Sequence, residues 1–193
     1  MDADWSVELG ADDPALEYPW ASPDGKLTYV DLSKDLRDLS RISEAVRHPA
    51  LRGLLIGING NLMPSGWKSV KCDAWLDKEV SQYAGPEQVQ WRMASYVDVI
   101  RREAGERFSF ERHEAWVKAV AQRLRHYPAA AYSCELVVRR CYYRLEEDPE
   151  DSAVGFCVTV YVFGYGDTEE HAECNSWKGA LDRVGFVLTG MKF

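Results

Sequence analysis

In the second half of the chain, polar and apolar residues alternate in four stretches, the two-residue period of strands with one covered face. Between Ser69 and Leu76 the apolar set is Val70, Cys72, Ala74 and Leu76; between Val89 and Ile100 it is Val89, Trp91, Met93, Val97 and Val99. Cys134 to Leu145 reads as a third strand and the β-branched run Val154 to Phe163 as a fourth, joined by the acidic turn Glu146 to Asp151. Two further stretches switch to the three-four spacing of amphipathic helices. One opens at the N-cap Ser109, turns Phe110, Val117, Val120 and Leu124 inward, and is closed by Pro128. The other runs from Thr168 to Leu188, with Cys174, Trp177, Leu181, Val184 and Leu188 on its apolar side. The order is ββαββα. Short links between consecutive strands predict an α+β fold, a four-stranded antiparallel sheet with two long helices on one face.

The first third is less regular. Trp5, Val7 and Leu9 alternate, and Leu16, Tyr18 and Trp20 repeat the alternation among Pro14, Pro19 and Pro23. Leu27 to Leu32 predicts a short strand and Ser33 to His48 a helix interrupted at Pro49. Leu51, Leu54, Leu55 and Ile58 predict a second short helix, ahead of a loop from Asn59 to Gly66. The expected organisation is a single domain over 1–193: an acidic arm at 1–25, a helical extension at 26–66 and the ββαββα core at 67–193. Residues 1–58 are expected to fold across the sheet face that the long helices leave open.

Charge sharpens the view of the arm. Asp2, Asp4, Glu8, Asp12, Asp13, Glu17 and Asp24 precede the first cation, Lys26, in a chain of net charge −8. Residues 92–144 carry an excess of +5 and residues 145–193 an excess of −7. A basic middle between acidic ends favours docking within the chain and argues against nucleic-acid binding, since an acidic molecule repels phosphates at range. The aromatic residues of the arm are more than a disordered tail carries. The longest apolar run, Gly155 to Gly166, is too short and glycine-rich to span a bilayer, so no membrane contact is expected. The stretch from Met1 has neither the basic nor the apolar region of a signal peptide, and five cysteines form no C-x-x-C pair; reduced thiols in a cytoplasmic protein are the expectation.

The motifs are sparse. Gly164-Tyr165-Gly166 lacks phosphate-loop spacing, and Asp167, Glu169 and Glu170 crowd the next helix start, so a tight connection with an Asp-x-x-Glu capping box is expected there. His113 and His171 read as exposed helical histidines. No cofactor and no metal site is expected. Arg139 and Arg140 point to opposite faces of their strand; Arg140 leans toward the helices and requires a carboxylate partner. The alternation assigns Lys71, Asp73, Trp75, Gln90, Arg92, Tyr96, Asp98, Glu135, Arg139, Tyr143, Thr159, Tyr161 and Phe163 to the open face.

Two functions follow. One is a non-enzymatic accessory protein, immunity-like, whose acidic arm and aromatic surface meet a basic protein partner. The other is a domain or enzyme for a small anionic ligand, with a pocket between sheet and extension. Its candidate ligand-binding residues are Arg92, Tyr96, Asp98, Arg139 and Tyr161, with Asp98, Asp73 or Glu135 available for proton transfer.

Overall fold

The alternating stretches form the long strands of one sheet, and the acidic arm supplies two more. The computed structural model describes residues 1–60, 66–80, 89–128, 131–144 and 152–190. Its strands are β1 (Asp2–Glu8), β2 (Leu16–Tyr18), β3 (Trp67–Val80), β4 (Val89–Arg101), β5 (Tyr132–Arg144) and β6 (Ser152–Gly166). Its helices are α1 (Ser43–Arg47), α2 (Pro49–Asn59), α3 (Phe110–Arg125) and α4 (Lys178–Gly190). The order across the sheet is β1-β5-β6-β4-β3, with β2 also on β5.

The fold is α+β, but the sheet has six strands where four were expected, and it is antiparallel only in part. β1 and β2 run parallel to β5 along one edge, Asp2 opposite Ser133 and Leu16 opposite Cys141. They satisfy backbone groups of β5 that would otherwise form a bare edge. Arginines anchor the arm as well: Arg125 meets Asp4 at 3.1 Å, Arg139 meets Glu8 at 2.7 Å and Arg144 meets Glu17 at 3.0 Å. The Met1 amine donates to the carbonyls of Tyr127 and Pro128.

The helices cover one face. α3 lies over β1, β5 and β6, and α4 lies beside α3 and α2. The core between them joins Val117, Val120 and Leu124 of α3 with Leu181 and Val184 of α4, and with Leu136, Val138, Val158 and Val160 of the sheet. α2 adds Leu51, Leu54, Leu55 and Ile58 to that same side, so the helical part of residues 1–58 does not cross the open face. Only the stretch around residues 14–32 does. Leu16, Val70, Ile100, Cys141, Tyr143 and Cys157 form a second cluster there, with Tyr18, Trp20 and Tyr29 against it. Lys68 is buried beside it and donates to Tyr18 Oη at 2.6 Å and Asp31 Oδ2 at 3.2 Å.

Several local expectations are corrected. Leu27 to Leu32 makes a single bridge, Ala21 with Thr28, and no strand. Ser33 to His48 divides into a 3₁₀ turn (Leu36–Arg41), capped by Asp35, and the short α1. Val70 leaves the helix side because the pairing of β3 with β4 slips between Ser69 and Lys71, and this bulge puts one extra residue on the other face. Ser109 caps α3 as expected, its Oγ accepting from Arg112 N. His113, expected exposed, is fully buried with Nδ1 bonded to the Ser109 carbonyl at 2.7 Å, and burial lowers its pKa. Arg140 donates to the carbonyl of Gly10 rather than to a carboxylate.

The C-terminal helix begins with a π-helical segment, His171–Trp177. The wider turn shifts the phase, so Cys174 is exposed while Ala172 and Trp177 are buried. Its cap is Thr168, whose Oγ1 accepts from His171 N, not Asp167. Gly164 and Gly166 let this helix start rest directly on β6. A Cβ at Gly164 would lie 2.5 Å from Trp177 Cα, and one at Gly166 would lie 2.6 Å from Ala172 N. No helix among the described residues is long and apolar enough to cross a membrane. The acidic turn Glu146 to Asp151 and most of the loop after α2 lie outside the described residues.

Candidate functional site

The open face is filled by the arm at one end and left hollow further along. Between residues 14–23 and the sheet lies a partly open cavity of about 710 Å³, within the range of small-molecule sites. Strand register builds its floor. Lys71 of β3 stands opposite Asp98 of β4, and Asp98 opposite Thr159 of β6. One pleat along, Asp73 is opposite Tyr96 and Tyr96 opposite Tyr161. Pro14, Glu17, Trp20 and Pro23 form the roof.

A hydrogen-bond relay crosses this floor. Glu8 Oε2 accepts from Arg139 Nε at 2.8 Å. Arg139 Nη1 donates to Thr159 Oγ1 at 3.1 Å and to Tyr161 Oη at 3.0 Å. Thr159 Oγ1 in turn donates to Asp98 Oδ1 at 2.6 Å. Because Thr159 receives from Arg139, its own proton goes to Asp98, and the direction of the relay is set. Asp98 Oδ2 has no hydrogen-bond partner among the described residues, and Asp98 lines the cavity.

Burial raises the pKa of Asp98; the Thr159 bond and the charges of Lys71 and Arg139 pull against that rise without overcoming it. Burial, followed by the negative charges of Asp98 and Asp73, also raises Tyr96, which stays a neutral phenol. Cys157 is held well above its ordinary value by its bond with Cys141 and by burial, so its thiol is a poor nucleophile. Arg139 is opposed by burial but raised by its bonds to Tyr161 and Glu8, and it remains a cation.

Lys71 differs from the other cations. Its ammonium stands 5.2 Å from the centre of the Trp20 ring and 5.6 Å from that of Tyr96, and among the described residues it makes no ion pair. Trp20, Lys71 and Tyr96 also form a wall shared with a smaller cavity of about 310 Å³ beside Glu44 and Asp73.

Four of the five residues read from the sequence, Tyr96, Asp98, Arg139 and Tyr161, line the large cavity together. Arg92 does not. It pairs with Asp77 at 3.0 Å and lies over the Phe163 ring, further along the same face. Lys71 and Thr159 were legible as open-face residues, but their convergence with Asp98 needed the strand register. Trp20, Glu8, Glu17 and Arg144 were not legible as site residues, because nothing local announces that the arm docks beside β5. Among the described residues no three His, Cys, Asp or Glu side chains gather to hold a metal ion. No protein-family model, no curated protein and no solved structure matches this chain.

Proposed function

We propose that the protein binds a small anionic molecule in the cavity between the sheet and residues 14–23. Lys71 and Arg139 attract it, and Trp20, Tyr96 and Tyr161 enclose it. The observation that carries this reading is the ammonium of Lys71, which makes no ion pair among the described residues and stands at a cavity wall between two aromatic rings. A cation with no contacting carboxylate among the described residues, held in a sheltered hollow, is an attractive site for an anion. Binding is favoured over catalysis, since the Thr159 proton is committed to Asp98 and the Cys157 thiol is far from ionised. The alternative, an acidic arm that addresses a basic protein, draws less support: Asp4, Glu8 and Glu17 already face arginines of the same chain.

The test is a titration of isotope-labelled protein with acetate, phosphate and sulfate, followed by amide NMR. Shifts centred on Lys71, Asp98, Thr159 and Trp20 are the expected result. Shifts scattered over the surface, or none at the cavity with any of the three ions or with a larger carboxylate such as 2-naphthoate, would overturn it.

A further inference from the structure

Resting on that reading, we infer that the occupant is an aromatic carboxylate, and that it binds with Asp98 as a carboxylic acid whose Oδ2–H meets the carboxylate of the ligand. Size comes first. A bare ion would leave most of a hollow of about 710 Å³ to water, so the occupant has a body. The surfaces offered to that body are the rings of Trp20, Tyr96 and Tyr161, and aromatic surfaces favour a flat partner.

The donors select the head group. Arg139 has spent Nε and one Nη2 hydrogen on Glu8, and both Nη1 hydrogens on Thr159 and Tyr161. One guanidinium hydrogen remains. With the Lys71 ammonium and the Asp98 Oδ2 position, that is a set for the two oxygens of a carboxylate, and a thin one for a phosphate dianion. The relay supplies the last donor. Thr159 gives its proton to Oδ1, so a proton on Asp98 sits on Oδ2, which has no hydrogen-bond partner among the described residues.

The groups around Asp98 agree. Lys71 faces it from β3, with Asp73 one pleat away; Thr159, Tyr161 and Cys157 face it from β6; Tyr96 neighbours it on β4. Arg139 approaches from β5 with Glu8 of β1 behind it, and Glu17 with Arg144 closes the rim. An arriving carboxylate adds negative charge to this set and drives a proton onto the already elevated Asp98. The proton comes from solvent; no covalent bond changes.

The experiment is calorimetry with 2-naphthoate, its neutral amide 2-naphthamide, and inorganic phosphate. Each is run in buffers of different ionisation heat between about pH 6 and pH 9. Naphthoate should bind with proton uptake rising toward about one, its affinity falling about tenfold per pH unit at the upper end. The amide should bind at least about tenfold more weakly, having no charge for Lys71. Asp98→Asn keeps the acceptor for Thr159 and a donor for the ligand, so it should bind naphthoate with no uptake and a flat pH profile. Naphthoate binding without uptake at any pH, uptake that survives in Asp98→Asn, or equal binding of the amide would overturn the inference. Wild-type proton counts decide the matter even if the variant misfolds. Phosphate bound in the cavity while naphthoate is not would sink this inference and leave the anion site standing. If no anion reaches the cavity, both fall.

Discussion

Neutralising Glu8 should weaken the fold and strengthen the site. Glu8 Oε2 takes the Arg139 Nε hydrogen at 2.8 Å and pairs with Nη2 at 2.7 Å. Hydrogen bonds to charged groups contribute about 1.5–3 kcal/mol each and neutral ones about 0.5–1.5. Glu8→Gln keeps an oxygen acceptor for the still cationic guanidinium and removes the opposite charge, a loss no larger than that of one charge-assisted bond, about 1.5–3 kcal/mol. The Glu8 side chain is 35% exposed against 14% for Arg139, and solvent screening cuts the loss to about 1 kcal/mol. For a chain of this length the melting temperature should fall by about 2–4 °C. Arg139 stays in place because Nη1 keeps Thr159 and Tyr161, yet its charge is no longer compensated. Affinity for a carboxylate should rise severalfold. Thermal and urea unfolding measure the first effect, and calorimetry with 2-naphthoate the second. An unchanged urea midpoint, or weaker binding by an intact variant, would refute the reasoning.

Asp98→Asn should change stability in a pH-dependent way. The folded-state pKa of Asp98 is raised above the unfolded value, so its contribution is fully present below the unfolded pKa near 3.8 and is lost as pH rises toward the folded value. The variant should therefore be more stable than wild type at neutral pH and lose that advantage near pH 3.8, as urea midpoints across pH would show. Gly164→Ala should cost about 3 kcal/mol by chemical denaturation, because its Cβ meets the backbone of Trp177 rather than a flexible side chain. A thiol reagent on the native protein should modify Cys174 quickly. It should reach Cys72, whose thiol burial pushes up to about 12, only slowly, and buried Cys134, Cys141 and Cys157 only on unfolding; peptide mapping reads the order.

How much of this was legible depends on sequence distance. Alternation along the strands placed Tyr96, Asp98, Arg139 and Tyr161 on one face, because side-chain direction in a strand is local. The spacing of α3 and the cap at Ser109 were local as well. What escaped was non-local or a matter of phase. The parallel pairing of Asp2 with Ser133 leaves no mark in either segment. The bulge at Val70 and the π-helical turn at Cys174 each insert one residue into a regular pattern, and a periodic reading then assigns the wrong face. His113 lies on the same three-four stripe as Phe110, Val117 and Val120, so the spacing itself marks the inward face on which it meets the Trp67 ring edge-on at 5.3 Å.

The arm also bears on the proposed binding. Glu8 holds Arg139 of the floor, while Glu17 and Trp20 stand in the roof, so the roof of the hollow is made by residues 14–23 docked on the sheet. An occupant that touches both roof and floor binds the docked state more tightly than an undocked one. By mass action it stabilises docking by at most about 2.7 kcal/mol at a hundredfold excess over its Kd. Conversely, any population with the arm displaced lowers the apparent affinity in the same proportion. The acidic residues that begin the chain are therefore part of the site twice over, as the edge of the sheet that shapes it and as the countercharge that tunes it. Protection of the β1 amides against hydrogen exchange should rise when the cavity is filled, and exchange in α3, which lines no part of it, should move less.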